Sequence, residues 1–464
     1  MRLIRMGRDG NQSSGDGNYV NYSQGLAALL ESKGIKPGDR IRVSYGGKAV
    51  EGELMPKPEI GDRDVLVVKL DNGYNFGISY KKAEISLVSA SKGAISFPKA
   101  SIKNRAGLPK VTMIYTGGTI GSRLDYKTGG VYMLTKPEEL LYEVPEISEL
   151  ADMEVVPLMS MASEDMSYLE WKRIAEEAAK AANAGSAGIV ITHGTDTMHY
   201  TSAALSFMLD GIGIPVVLTG AQRSSDRGSS DAFMNLFCSV AYAAKSGAAE
   251  VGICMHATSS DDKCMFIRGT KARKMHTSRR DAFRPINDSP IAFIDSKGAV
   301  SPNPSAPSRT AGNAQGFKPK LGFEEKTALV KIFPNSDPDV LDFYIGKGYK
   351  GIILEGTGLG HLPVSTPHKG FNWLSKVKSS VDSGVIIGIA SQCIYGRTNS
   401  NVYRNLRLLA NAGAVHCGDM TPETSFVKLG WLLGNYKRDE AAELLGKNLV
   451  GEINGRIRYD QFLV

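Results

Sequence analysis

At 464 residues, 42% of them hydrophobic and 22% charged, the chain is long enough to bury the cores of two or three domains. Its longest apolar runs, such as VIIGIA (385–390) and IVIT (189–192), are strand-length, which excludes helical membrane spans of about 20 residues. The opening MRLIRMGRDGNQ has no apolar region of signal-peptide length. Five cysteines (Cys238, Cys254, Cys264, Cys393, Cys417) are an odd, scattered set without a C-x-x-C pair. They read as reduced thiols in a cytoplasmic protein and predict no zinc site. The net charge of +7 says little until its distribution is examined.

Residues 7–18, GRDGNQSSGDGN, have no apolar periodicity and read as a tail. A short helix follows, capped by Ser23, with Leu26, Leu29 and Leu30 on one face and Gly34 at its end; the tail and helix together make residues 1–37. From Gly38 the apolar period falls to two, through DRIRVSY, KAVEGELM, DVLVVKLD, YNFGISY and EISLV, with Gly46-Gly47 and Asn72-Gly73 as tight turns. Four or five short strands in about 50 residues predict a small β-barrel of the SH3 or Sm type over 38–88. It carries no titratable cluster that suggests chemistry and reads as a binding or spacer module. Residues 89–110, polar and rich in lysine with two prolines, read as a linker.

Strands and helices then alternate, which predicts an α/β domain with a parallel sheet covered on both faces over 111–295. The expected order is VTMIY, a helix through residues 137–142, MEVVPL, a helix from Ser167, AGIVIT, a helix after Asp196, PVVLTG, a helix over 232–244, and VGICM. Ser167 with Glu170 three residues later forms a capping-box signal, and Gly185 marks that helix's end. Residues 296–325, rich in Ser, Pro, Gly, Asn and Ala, read as an interdomain crossing. A smaller α/β unit fills 326–464, with strands TALVKIF, GIILEG, GVIIGIA and GAVHCG and late helices near 426–433 and 439–445. The final NLVGEINGRIRYDQFLV reads as a strand-rich tail.

In open parallel sheets, sites lie outside the carboxyl ends of the strands, and three polar loops fall there: TGGT (116–119), MSMASEDM (159–166) and THGTDTM (192–198). Thr119 is a candidate nucleophile: a buried strand delivers it, and Gly117 and Gly118 allow positive φ and close approach of a ligand. Its hydroxyl attacks a carbonyl only if a nearby base takes the proton. The bland alternative is a tight turn. Thr195 and Asp196 put a second hydroxyl and a carboxylate on a neighbouring loop, where an aspartate opening a helix is equally readable as an N-cap. Lys274, in RKMHTSRRDAF, is by itself readable as a solvated charge.

Taken together and in order, TGGTI, SEDM, HGTDTM and the lysine segment resemble the bacterial-type L-asparaginase and glutaminase family over residues 110–436. The resemblance implies the two-domain asparaginase fold and a first reaction centre at Thr119, activated by a loop tyrosine. Tyr126 is favoured for that role over Tyr132. It also implies a second centre of Thr195, Asp196 and Lys274, with Gly118, Ser163, Glu164 and Asp196 around the substrate. Ser163 and Asp196 would hold the α-carboxylate and α-amino group of an amino acid, a sensible division because a zwitterion needs one hydroxyl or backbone donor and one carboxylate. Family members complete each site with a glutamate from a neighbouring subunit, and the corresponding stretch here, CIYGRTNSNVYRN (393–405), contains none.

The residues before TGGT, with GDRIRVSYGGKAVEGELMPKPE and VVKLDNGYNFGI, are similar to the barrel of the D-subunit (GatD) family of archaeal glutamyl-tRNA(Gln) amidotransferases. That resemblance covers nearly the whole chain. It implies an amidohydrolase that releases ammonia from glutamine or asparagine. A partner, the amidotransferase's E subunit, would use the ammonia to convert Glu-tRNA(Gln) to Gln-tRNA(Gln), with a homodimer of this chain inside a heterotetramer. ATP and magnesium would belong to that partner, in keeping with the lack of a G-x-x-x-x-G-K-[ST] motif here, and no metal is expected in this chain. The alternatives are a free-standing cytosolic L-asparaginase and a non-catalytic RNA-binding scaffold on the same fold. Finally, residues 263–284 hold eight basic side chains against Asp281. They read either as a solvated loop or as a surface that answers the partner or tRNA phosphates and sets Lys274 in place.

Overall fold

The computed structural model describes residues 19, 21–55, 57, 61–71, 74–90, 107–124, 131–133, 141, 144–225, 228–312 and 314–462. Two compact units emerge, one of residues 1–99 with 123–132 and 226–229, the other of 100–122, 133–225 and 230–464.

In the first unit, helix α1 (Gln24–Ser32) starts where Ser23 Oγ accepts from Leu26 N and ends at Gly34, whose φ of +64° suits glycine. Five strands follow, β1 (Arg40–Tyr45), β2 (Lys48–Met55), β3 (Val65–Lys69), β4 (Asn75–Ser79) and β5 (Glu84–Ser89), all antiparallel in the order β4-β3-β2-β1-β5. Gly46 and Gly47, at φ +58° and +77°, make the two-residue turn that pairs Tyr45 with Lys48. The Asn72-Gly73 turn lies outside the described residues. Alternate apolar side chains (Ile41, Val43, Leu54, Leu66, Val68, Ile78, Ile85) fill one core, and Leu26 and Leu30 of α1 belong to it. The helix is therefore part of this module's interior and not an appendage of the tail, because its i, i+4 stripe of Leu26 and Leu30 is buried in the same core.

The second unit opens with β6 (Lys110–Tyr115). Strands β7 (Ser122–Leu124) and β8 (Val131–Met133), most of whose residues belong to the first unit, pair with each other. There follow β9 (Asp152–Pro157), α2 (Tyr168–Asn183), β10 (Gly188–Thr192), α3 (Met198–Met208), β11 (Val216–Thr219), α4 (Ala232–Lys245) and β12 (Val251–His256). Five strands run parallel in the order β9-β6-β10-β11-β12. The capping box of α2 is complete: Glu170 Oε2 accepts from Ser167 N at 2.8 Å, and Ser167 Oγ accepts from Leu169 N. Burial alternates along the sheet, Ile189 and Ile191 packing with α2 and α3 while Val190 packs with α4. Each fully buried side chain of this kind contributes about 1.5–3 kcal/mol. The helix expected over 137–142 falls almost wholly outside the described residues.

The sheet is wider than the alternation predicts. β13 (Lys263–Arg268), β16 (Ala292–Asp295) and β17 (Val300–Pro302) extend it antiparallel from β12, so the large domain's sheet runs past residue 295. The connection from β12 to β13 is too short for a crossover helix, and a short return can only be antiparallel. Between β13 and β16 the chain makes a separate two-stranded hairpin of β14 (Ala272–Lys274) and β15 (Phe283–Pro285).

After the crossing come β18 (Thr327–Lys331), α5 (Val340–Gly346), β19 (Gly351–Gly356), α6 (Trp373–Asp382), β20 (Ile386–Ser391), α7 (Arg404–Asn411), β21 (Val415–His416), α8 (Pro422–Asn435) and α9 (Arg438–Leu445). The strands form a four-stranded parallel sheet in sequence order. Helix α8 packs on α3 of the large domain, with Phe207 stacked on Trp431 at 5.4 Å and Tyr200 edge-on to Phe426 at 6.5 Å. The crossing segment joins this seam: Phe323 stacks on Tyr168 at 5.5 Å, and Trp431 Nε1 donates to Lys320 O.

The expected strand-rich tail is a correction. No strand forms among the described residues after Leu445. Glu452 is fully buried, pairs with the equally buried Lys428 at 2.6 Å, and accepts from Leu449 N and Val450 N. A loop wound around a buried carboxylate spends its amides on that side chain and has none for a ladder. Burial lowers the Lys428 pKa from its ordinary value, and Glu452 opposes the shift.

Candidate active site

The parallel strands β6 and β10 release the chain into the TGGT and HGTD turns side by side. Thr116 Oγ1 donates to Thr192 O at 2.6 Å, pinning one strand end to the other. Gly117 and Gly118 sit at φ +108° and +86°, and a Cβ on Gly118 would lie 2.5 Å from Gly194 N. Only glycine permits this approach. Thr119 then begins a 3-10 turn (Thr119–Gly121), half-buried, with Ile120 and Gly121 buried behind it. Among the described residues no side chain hydrogen-bonds its hydroxyl. Tyr126 lies outside the described residues, and nothing is described of the Tyr132 side chain.

The third loop locks onto the other two. Met161 N donates to Thr116 O at 3.1 Å, and Thr197 Oγ1 donates to Ser163 O at 2.7 Å. Ser163 is buried, and a Cβ on Gly194 would come within 2.8 Å of its Oγ, so Gly118, Gly194 and Ser163 meet at one point. Glu164 is exposed on the same turn.

The second cluster closes over a long sequence separation. Lys274 Nζ donates to Thr195 Oγ1 at 2.8 Å and to Asp196 Oδ1 at 2.6 Å. Thr195 and the Lys274 side chain are nearly inaccessible, whereas the Asp196 side chain is 68% exposed. Asp196 is therefore not the cap of α3. Thr197 occupies that position, and the Asp196 carboxylate is left to face lysine and solvent. An ammonium between a hydroxyl and a carboxylate donates to both. As the free amine, it can instead accept the hydroxyl proton, which is the requirement for a threonine nucleophile or an activated water.

His193 and Thr201 support the HGTD turn from below. Trp171 Nε1 donates to Thr201 Oγ1 at 3.0 Å, which leaves the Thr201 hydroxyl to donate to His193 Nε2 at 2.9 Å. His193 Nδ1 must then carry the proton and donate to Gly194 O at 2.7 Å. Burial pulls the His193 pKa down to about 4, and that of His199, in the first turn of α3, also to about 4. Both rings are thus neutral in the native chain. Unfolded histidines take up protons near pH 6.5 and the native rings do not, so stability is full above that pH and falls as the pH drops from about 6.5 to 4. The loss is expected to approach ~3 kcal/mol per ring. Urea midpoints at pH 7 and pH 4.5 measure it, and His199→Gln should remove part of the difference. An unchanged slope in that variant would contradict the burial of a neutral ring.

Seven of the eight cations of the basic stretch are paired with carboxylates. Arg268 pairs with Glu250 and Asp288, Lys271 with Asp419, Arg273 with Glu423 and Lys274 with Asp196. Arg279 and Arg284 share Asp281, Arg280 pairs with Asp261, and Lys263 lies over the Phe293 ring. The stretch is therefore neither a row of unpaired cations nor a simply solvated loop. Sequence counted the charges, but their carboxylates come from elements as distant as Asp419 and Glu423.

Three participants escaped the sequence reading. His193 sits inside HGTD and could have been singled out by its place in the motif. Asp419 and Glu423 could not, since nothing local links them to residues nearly 150 positions earlier. Beside Lys274 lies a pocket of about 310 Å³ lined by Asp196, His199, Arg273, Lys274, His276 and Glu423, among others. His199 Nδ1 and Glu423 Oε2, both buried, have no hydrogen-bond partner among the described residues.

Comparison with known proteins places this geometry in context. Residues 110–306 match the family model "Asparaginase, N-terminal", residues 326–445 the "Glutaminase/Asparaginase C-terminal domain", and residues 35–88 the "GatD N-terminal domain". Over 444 residues the chain is 48% identical to the D subunit of the glutamyl-tRNA(Gln) amidotransferase of Pyrococcus furiosus, covering 94% of this chain and 99% of that one. It is 47% identical to the corresponding D subunit of Pyrococcus abyssi over 443 residues, with the same coverage. Among solved structures, the thermostable L-asparaginase from Thermococcus kodakarensis superimposes with a TM-score of 0.64 at 28% identity, over 75% of this chain and all of that one.

Proposed function

Because the chain belongs to the D-subunit family of glutamyl-tRNA(Gln) amidotransferases, we propose that its threonine centre releases the ammonia that a partner protein transfers to a misacylated tRNA. It is an amidohydrolase subunit of that amidotransferase. Thr119 is the nucleophile, with Tyr126 as its activator. Its hydroxyl oxygen attacks the side-chain amide carbon of glutamine or asparagine, its proton passes to the leaving nitrogen, and ammonia departs. Water then cleaves the threonine ester and restores the hydroxyl. Gly118, Ser163, Glu164 and Asp196 hold the amino acid, and Thr195, Asp196 and Lys274 move the protons.

The observation that carries this reading is the closed Lys274–Thr195–Asp196 contact set beside the glycine-lined Thr119 turn. It gathers a proton carrier, a hydroxyl and a carboxylate at the carboxyl ends of the strands, which the chemistry requires. The partner is the amidotransferase's E subunit, which supplies ATP and magnesium and receives the ammonia. Two copies of this chain join two of the partner, in the cytoplasm. Among the described residues no helix is long and apolar enough to cross a membrane.

The test is ammonia release from glutamine and from asparagine by the full chain, alone and with the E subunit and Glu-tRNA(Gln). Stimulation of at least about tenfold by the loaded complex is expected, because ammonia made without an acceptor is lost. Fast release by the chain alone, with no response to the complex, would favour the free-standing asparaginase.

A further inference from the structure

Lys274 is carried by a short hairpin that lies outside the main sheet, and its neighbours along the strand do not face the same way. In extended backbone, residues i and i+2 share a side and i+1 takes the other. Arg273 therefore takes the opposite side of β14 from Lys274, and Lys271, in the turn just before the strand, pairs with the same segment as Arg273. Both reach the small domain: Lys271 Nζ pairs with Asp419 Oδ2 at 2.7 Å with neither side chain exposed, and Arg273 donates to Glu423 Oε1 at 2.7 and 3.0 Å. Lys274, on the opposite side, meets Thr195 and Asp196 of the large domain.

The attachment is thorough. Thr424 Oγ1 donates to Thr270 O, just before β14, and Asn287, just after β15, donates to Asp419 O. Asp419 is itself fixed through its second oxygen, which accepts from Asn454 N at 2.9 Å. Both ends of the hairpin are thus tied to the segment that opens α8. A strand gripped on one face transmits any displacement of the grip to the side chain on the other.

Resting on the proposed role of Lys274, we infer that Asp419 and Glu423 are positioning residues for it, so that amidase turnover depends on where the small domain holds the β14–β15 hairpin. Glu423 touches neither Thr195 nor Asp196; it acts through Arg273. Glu423 also lines the pocket that Lys274 and His199 share, and its second oxygen is buried with no hydrogen-bond partner among the described residues. A partner that shifts the opening of α8 would in this way reach the catalytic lysine without entering the site.

Glu423→Gln is the most direct variant, because it keeps the side-chain volume while removing the charge that holds Arg273, whose own side chain is partly exposed. In the full chain it should lower kcat for ammonia release about 10- to 100-fold with KM within about twofold, the effect of a misplaced group that binds no substrate. Arg273→Met breaks the same pair from the other side and should reproduce the loss. Exchanging the two, Arg273→Glu with Glu423→Arg, should recover most of kcat. Thermal midpoints and circular dichroism confirm folding, and Lys274→Met runs in parallel. A folded Glu423→Gln or Arg273→Met chain with wild-type kcat, beside an inactive Lys274→Met, overturns the inference alone. An active Lys274→Met chain overturns the role of Lys274 on which it rests. A loss confined to KM, or one the exchange leaves unrepaired, also counts against positioning.

Discussion

Thr119→Val should abolish ammonia release from glutamine and asparagine, by at least about 10³-fold, while leaving a folded chain. Valine matches threonine in shape, and the lost hydroxyl has no hydrogen-bond partner among the described residues, so no buried group is orphaned by the change. The side chain is only half-buried, whereas the Ile120 and Gly121 that follow it carry the packing. The thermal midpoint should therefore stay within a few degrees of wild type. With the E subunit present, transfer from added ammonium should survive near its normal rate, because that step bypasses the amide. Hydrolysis of glutamine by the variant at close to the normal rate would remove Thr119 from the mechanism.

Lys274→Met should reduce kcat by about 10²- to 10⁴-fold, the usual worth of a positioned proton carrier. Methionine fills the same channel but neither donates to Thr195 nor accepts its proton. The structural cost is modest: the carboxylate that loses its partner, Asp196, is 68% exposed and is solvated without it, which leaves the buried Thr195 hydroxyl as the one neutral group deprived of a donor. A deeply buried partner would have made the same change a folding defect, as expected for Lys271 opposite the fully buried Asp419. Activity and thermal midpoint should accordingly part company. A chain that keeps wild-type kcat after this substitution would show that the contacts to Thr195 and Asp196 serve structure alone.

The fold was largely legible because its signals are local. Period-two apolar runs separated by Gly46-Gly47 marked the first sheet, and the Ser167–Glu170 capping box marked the start of α2. What failed did so for physical reasons. The tail's apolar residues suggested strands, yet the buried Glu452 takes up its amides, and its partner Lys428 lies on a helix that sequence could not place beside it. The antiparallel extension by β13, β16 and β17 follows from short connections, which alternation alone does not register.

At the site the division is sharper. By itself, the sequence determined which residue types stand at the carboxyl ends of which strands: Thr119 after two glycines, Ser163 in SEDM, Thr195 and Asp196 in HGTD, each within a few residues of a strand that fixes it. Only the tertiary structure decided that Lys274, 78 positions from Asp196, closes on it, because that contact requires the β14–β15 hairpin to fold back from the far side of β12. Only the tertiary structure decided, too, that neighbouring cations pair with Asp419, Glu423, Asp281 and Asp261. A charge is written in sequence as a letter, but its partner is whichever opposite charge the packed elements bring within about 4 Å, and distance along the chain does not carry that information.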